Sequence, residues 1–156
     1  WDADALTLLA THDGILPLKE EDIITPHPGE AARLLEQHVE FILDEPLDAL
    51  SRLHDLCGCC VLLKGATTVI AHGEDVAMNV TGCDGMGTGG CGDVLTGIIA
   101  SLLAQGATAV QAAAGGVWIH GRAGDLAAEA LTPYAMTPQD AAAALPEVFR
   151  ELTALG

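Results

Sequence analysis

Residues Asn79 to Gly97 read NVTGCDGMGTGGCGDVLTG, with six glycines between Gly82 and Gly92, one acid at Asp93 and then an unbroken apolar run. Glycine at that density removes Cβ atoms, so backbone N–H groups can approach an anion closely. Where such a segment feeds a helix, unpaired N–H donors and the helix dipole together make an anion site. A carboxylate at the same place is costly unless it has a task. The stretch therefore predicts a phosphate site with Asp93 beside it as a base. Gly85 to Gly90 formally contains G-x-G-x-x-G, but the dinucleotide version needs a preceding strand and an acid about 20 residues later. Here no acid follows until Asp125. The absence of G-x-x-x-x-G-K-[ST] excludes a Walker-type loop. On these residues alone, the alternative is a flexible loop whose acid merely caps the helix.

Two further segments leave strands in the same manner. Ile23-Ile24-Thr25 predicts a short buried strand running into Pro26-His27-Pro28-Gly29-Glu30 and a helix from Glu30 to His38. Cys59 to Leu63 is a continuous apolar run, the pattern of a strand buried on both faces, and it ends on Lys64-Gly65-Ala66-Thr67-Thr68. A lysine at the carboxyl end of a parallel strand faces the crevice where such sheets bind ligands. Between these, Pro46 opens a helix in which Leu47, Leu50, Leu53 and Leu56 are expected to line one face up to Gly58. Thr67–Ala71 and Asp75–Val80 predict a hairpin about His72-Gly73-Glu74. Helices are expected over 94–103, 107–130 and from Thr137-Pro138 onward. Strands alternating with helices predict an α/β sheet with helices on both faces. Only about four strands are visible, so the sheet is expected to be completed by sequence upstream of Trp1 or by another polypeptide.

The chain has 156 residues, a length that predicts one domain over 1–156, and half of its residues are apolar. Six Lys and Arg against 22 Asp and Glu give a net charge of −16. Sequence-independent binding to nucleic acid or to anionic membrane needs the opposite sign and is not expected. No apolar run reaches the roughly 20 residues that span a bilayer. Five cysteines, an odd number with Cys57, Cys59 and Cys60 clustered, read as small packing residues of an intracellular chain. The cytosol is the expected compartment.

TPHPGEAARLL, VLLKGATTVIA and GMGTGGCGDVLTGIIASLLAQG together resemble the ADP-dependent NAD(P)H-hydrate dehydratases of the ribokinase-like superfamily. Asp2-Ala-Asp-Ala-Leu6 and Val117-Trp-Ile-His120-Gly-Arg-Ala-Gly-Asp125 fit the same family. The likeness spans nearly the whole chain but only about the C-terminal half of the usual family domain. It implies the C-terminal half of the sheet of a three-layer ribokinase-like sandwich. It further implies that Asp93 is the catalytic base and meets the substrate, and that Gly89, Gly90 and Gly92 hold phosphate through their amides. Lys64, Gly65, Ala66, Thr67 and Thr68 would contact the adenine nucleotide, and His27 the hydrated nicotinamide. Glu30 stands at the acid position of a metal-and-phosphate motif, implying Mg²⁺. The implied small molecules are ADP as phosphoryl donor, AMP as product, and the hydrates NADHX and NADPHX. A homo-oligomer or a complementing N-terminal polypeptide is the expected assembly. Cys91 and Gly87 stand where many relatives carry threonine and alanine, and neither difference removes a backbone donor. A vitamin-precursor kinase, a non-catalytic nucleotide-binding module and a purely structural fragment are the alternatives.

Overall fold

The computed structural model describes residues 1–11 and 18–154. Its elements run α1 (Asp4–Thr11), β1 (Ile23–Ile24), α2 (Pro28–Leu34), α3 (Val39–Asp44), α4 (Pro46–Cys57), β2 (Cys60–Leu63), β3 (Val69–His72), β4 (Asp75–Met78), a 3₁₀ turn (Asp84–Gly87), α5 (Cys91–Ala104), α6 (Ala109–Leu131) and α7 (Pro138–Thr153). This is the expected α/β class. Two compact units divide the chain, one of Trp1–Asn79 with Thr108–Ala113, the other of Val80–Ala107 with Ala114–Gly156. No helix among the described residues is long and apolar enough to cross a membrane.

The first unit holds one four-stranded sheet in the order β1-β2-β3-β4. β1 pairs in parallel with β2 through Ile23–Cys60 and Ile24–Val61, and the two later pairs are antiparallel. Every residue of β2 is buried, as a continuous apolar run predicts. Cys59, Val61 and Leu63 join Ile24, Val69 and Ala71 in a core shared with Leu6, Leu9, Ala31, Ile42, Leu50 and Leu53 of the helices. Main-chain bonds from Trp1 N to Ile23 O (2.7 Å) and from Thr25 N to Trp1 O (3.1 Å) continue the parallel ladder beside β1. The expected hairpin joins β3 to β4 through Gly73 and Glu74, with Gly73 at φ +60°. That positive φ at the first central position is the pattern of a type II′ turn.

Two helical expectations change. The predicted helix over 30–38 stops at Leu34, because Glu36 adopts a left-handed φ of +53° after Leu35, and a further helix, α3, starts at Val39 beyond the predicted span. The leucine face of α4 is also different. Leu50 and Leu53 are buried with Ala49 and Cys57, whereas Leu47 and Leu56 are 54% and 45% exposed. At 3.6 residues per turn each step of three falls about 60° short of a full turn. Four leucines at that spacing therefore spiral half-way round the helix, and only the middle two reach the core.

In the second unit α5, α6 and α7 share a cluster of Ile98, Ile119, Ala123 and Val148. Arg122 of α6 donates to both Glu151 oxygens of α7 at 2.9 and 2.7 Å. Helix α5 begins at Cys91, three residues before the expected start at Val94. Glycines and a cysteine depress helix propensity on paper, but the segment gains its first turn from tertiary contacts.

Leu53→Ala is expected to cost about 2–5 kcal/mol of stability, and Leu47→Ala under about 0.5 kcal/mol. Urea unfolding of the two variants measures the difference.

Candidate functional site

Because β1 and β2 are parallel, their carboxyl ends leave the sheet on one edge. The Lys64 amide donates to the Pro26 carbonyl at 2.8 Å, so the two exit segments begin side by side. The structure thus brings His27, Glu30 and Lys64 to one edge of the first unit. Lys64 is not the solvated strand-end lysine of the simplest reading. Its Nζ lies 2.7 Å from Asp2 Oδ1, with the two side chains only 20% and 10% exposed. Beyond it Gly65, Ala66 and Thr67 form an exposed bend and Thr68 is half-buried.

His27 is the N-cap of α2. Its Nδ1 accepts from the amides of Gly29 (3.0 Å) and Glu30 (3.3 Å). Two N–H donors on Nδ1 place the ring proton on Nε2, which lies 3.3 Å from Glu30 Oε1. The other Glu30 oxygen accepts from the His27 amide at 2.8 Å, closing a capping box. A Cβ on Gly29 would lie 2.9 Å from His27 Cε1, so this cap requires a glycine at that position. His27 therefore offers a half-exposed ring whose Nδ1 is engaged by its own helix.

In the second unit the phosphate-loop candidates sit at the start of α5. Gly90 is the N-cap, at φ +98°, a left-handed conformation suited to glycine, and it supplies no side chain to the cap. The Cys91 amide donates to Thr88 O at 3.2 Å and the Val94 amide to Gly90 O at 3.3 Å. The Gly92 and Asp93 amides have no acceptor among the described residues. Asp93 is the third residue of the helix, the same position as Glu30 in α2 and Asp140 in α7. Those two acids close capping boxes on His27 and Thr137. With glycine as its N-cap, Asp93 has nothing to close on, and its carboxylate makes no bond or ion pair among the described residues. Gly87 and Gly89 have ordinary negative φ and open space where a Cβ would stand. The fold itself does not demand glycine there, and the bare main chain remains open to a close neighbour.

Sequence reading missed what holds this turn. One face of α6 backs the segment from Thr81 to Cys91. Gly121 packs against Thr81 and Gly124 against Met86 so closely that neither has room for a side chain. Asp125 accepts the Gly82 amide with both oxygens at 3.2 Å. A Cβ on Gly85 would lie 2.5 Å from Pro133 O. The spacing of His120, Gly121, Gly124 and Asp125 is that of one helical face, and that spacing was the available signal. His120 is 6% exposed, and burial drives its imidazole down from 6.5 to about 4.

The implied Mg²⁺ finds no cage of protein ligands. No group of three or more His, Cys, Asp or Glu suited to a metal lies among the described residues, and one Glu30 oxygen accepts the His27 amide while the other lies 3.3 Å from His27 Nε2. No step below runs through a metal. All five cysteines are free thiols. Burial pushes Cys60 up to about 11; the neighbouring Cys57 and Cys59 side chains lower Cys57 and raise Cys59, and the Cys59 thiol donates to the Cys60 carbonyl at 3.7 Å.

His120 sets a pH dependence. Between about 6.5 and about 4 the unfolded chain binds a proton that the folded chain refuses. The contribution is complete above the upper value and is lost as pH falls toward the lower, at no more than about 1.4 kcal/mol per pH unit. The slope in that window is expected to flatten in His120→Gln, read from urea midpoints against pH. Separately, His27→Ala is expected to cost about 1 kcal/mol through the lost N-cap, measured by thermal unfolding.

A sequence profile described as NAD(P)H-hydrate dehydratase matches residues 1–147. The chain is 47% identical over 126 residues to the bifunctional NAD(P)H-hydrate repair enzyme Nnr of Vibrio cholerae, covering 81% of this chain and 25% of that one. It is 42% identical over 132 residues to the ADP-dependent (S)-NAD(P)H-hydrate dehydratase of Neisseria meningitidis serogroup B, covering 82% and 45%. The ADP/ATP-dependent NAD(P)H-hydrate dehydratase of Bacillus subtilis, co-crystallised with ATP and Mg²⁺, superposes with a TM-score of 0.84 at 27% identity, over 96% of this chain and 53% of that one. A ribokinase-like protein of Enterococcus faecalis gives the same TM-score at 34% identity, over 96% and 51%. The chain thus spans between a quarter and about half the length of these relatives, with a ribokinase-like α/β fold. Its Gly-Asp turn, its Lys-Gly-Ala-Thr-Thr exit and its Pro-His-Pro-Gly-Glu cap lie within the matched residues, and the chain belongs to the NAD(P)H-hydrate dehydratase family.

Proposed function

We propose that this chain carries the phosphate-binding turn and the general base of an ADP-dependent dehydratase acting on NADHX and NADPHX. One observation supports the reading above the others: among the described residues Asp93 is a helix-N3 carboxylate with no partner, beside amides with no acceptor. An acid in that position normally spends itself on its own helix cap. Here it is left for an external hydroxyl, while the Gly92 and Asp93 amides, the α5 dipole and the adjoining Gly89 and Gly90 main chain take the phosphate.

In the proposed reaction Asp93 takes the proton of the substrate hydroxyl as that oxygen attacks the terminal phosphorus of ADP. The P–O bond to AMP breaks and a phosphate ester forms. Oriented amides neutralise charge on the transferring group without rearranging. The ring nitrogen's lone pair then expels phosphate, and loss of a neighbouring ring proton restores the dihydronicotinamide. AMP and phosphate are the other products. Lys64, Gly65, Ala66, Thr67 and Thr68 are assigned to the adenine nucleotide, and His27 to the nicotinamide hydrate as a contact rather than a proton carrier. Lys64, held by Asp2, acts there as a fixed charge.

Incubating the chain with NADHX and ADP and following the near-ultraviolet absorbance of the reduced ring tests the assignment. Asp93→Asn is expected to lower turnover about 10²–10⁴-fold while AMP binding by calorimetry persists. Native turnover in that variant removes Asp93 from the chemistry. A stable phosphate ester that accumulates without reduced cofactor makes the protein a kinase instead.

A further inference from the structure

Three chain segments leave the first unit's sheet side by side, and an ion pair ties the outer two together. Ile23 and Thr25 bond the Trp1 main chain, whereas Asp22 and Pro26 accept from Cys60 and Lys64. Trp1 and β2 therefore flank β1 on opposite sides. Asp2 follows Trp1 directly, and its Oδ1 lies 2.7 Å from Lys64 Nζ at the end of β2. With neighbouring strands about 4.8 Å apart, the pair reaches across about 10 Å, over the exit of β1.

Stability is a poor account of this arrangement. The two side chains are only 10% and 20% exposed, and desolvation at such a place offsets much of the attraction between opposite charges. The surroundings suit a different task. Beyond Lys64 the chain opens at once into the exposed bend of residues 65–67. An ammonium carries three N–H donors, and the bond to Asp2 Oδ1 takes one of them. A free lysine would sweep its charge through solvent on a flexible stem. Tied to Asp2, the same group is held at the strand exit with its direction fixed.

We propose that Asp2 is a positioning residue for the adenine nucleotide, holding the Lys64 ammonium so that it meets the nucleoside part of the ligand as an aimed N–H donor. This rests on the assignment of the Lys64 exit to the nucleotide, with its phosphate taken by the amides of α5. The pair is neutral as a whole, so the fixed charge is felt by a group in direct contact and fades quickly beyond it. A ribose hydroxyl or a base nitrogen is an acceptor of the matching kind. Replacing Asp2 by an uncharged residue both frees the ammonium to move and uncovers its charge.

The test is binding of adenosine and of AMP by calorimetry at low and at physiological ionic strength, with thermal unfolding of the same samples. Lys64→Met is expected to weaken adenosine and AMP alike, about tenfold, the order that one charge-assisted hydrogen bond carries. Asp2→Asn is expected to weaken adenosine about fivefold, and to make AMP binding more salt-dependent than in the native chain because the uncovered charge is screened. In a Lys64→Met background Asp2→Asn is expected to change neither quantity. Native adenosine affinity in a folded Asp2→Asn overturns the proposal, as does an equal loss with and without Lys64. If Asp2→Asn does not fold, Asp2→Glu decides, since it keeps the charge and moves the carboxylate by one methylene. That variant is expected to bind adenosine more weakly with native salt dependence for AMP, and native adenosine affinity in it overturns the proposal. Native affinities in Lys64→Met overturn instead the assignment of this exit to the nucleotide, and the role of Asp2 with it.

Discussion

The hydrogen bond from the Lys64 amide to the Pro26 carbonyl organises the edge of the first unit that carries its candidate residues. It is the last rung of the parallel β1–β2 ladder, and it forces two chain segments far apart in sequence to leave the sheet together. A main-chain bond cannot be removed by changing a side chain. The placement of His27 beside the lysine exit therefore depends on strand register and not on the surface residues themselves. Register in turn is secured by burial, since Ile23, Ile24, Cys60 and Val61 are all within 4% of full burial. A slip of one residue would turn each of them to the opposite face.

The proposed phosphate site of the second unit poses an electrostatic problem for so acidic a chain. A net charge of −16 repels phosphate at long range. At physiological ionic strength that repulsion is screened beyond about 8 Å. Oriented amides act at much shorter distances, where remote acids count for little. The glycines of the segment divide accordingly. Gly85, Gly121 and Gly124 are demanded by neighbours that leave no room for a side chain, whereas Gly87 and Gly89 have open space beside them. Glycines of the first kind let α6 support the turn closely, and those of the second leave its outer main chain bare.

Three acids share one local position, the third residue of a helix, and their fates are set by the residue three places earlier. His27 and Thr137 draw Glu30 and Asp140 into capping boxes, and the latter pairing holds Asp140 below the usual carboxylate range. Gly90 draws nothing. A single missing side chain at the N-cap thus separates a carboxylate spent on its own helix from one with no partner among the described residues.

The order of the elements apart from α3, the burial of β2 and the hairpin with its glycine turn were legible in the sequence. Each depends on periodicity or on local backbone preference, which neighbouring residues express unaided. The break at Glu36, the rotation of the α4 leucine face, the capture of Glu30 by His27, the pairing of Lys64 with Asp2 and the backing of the loop by Gly121 and Asp125 were decided by tertiary structure. They arise where distant segments compete for the same donors, acceptors and space, and a chain read one window at a time holds no record of which partner wins.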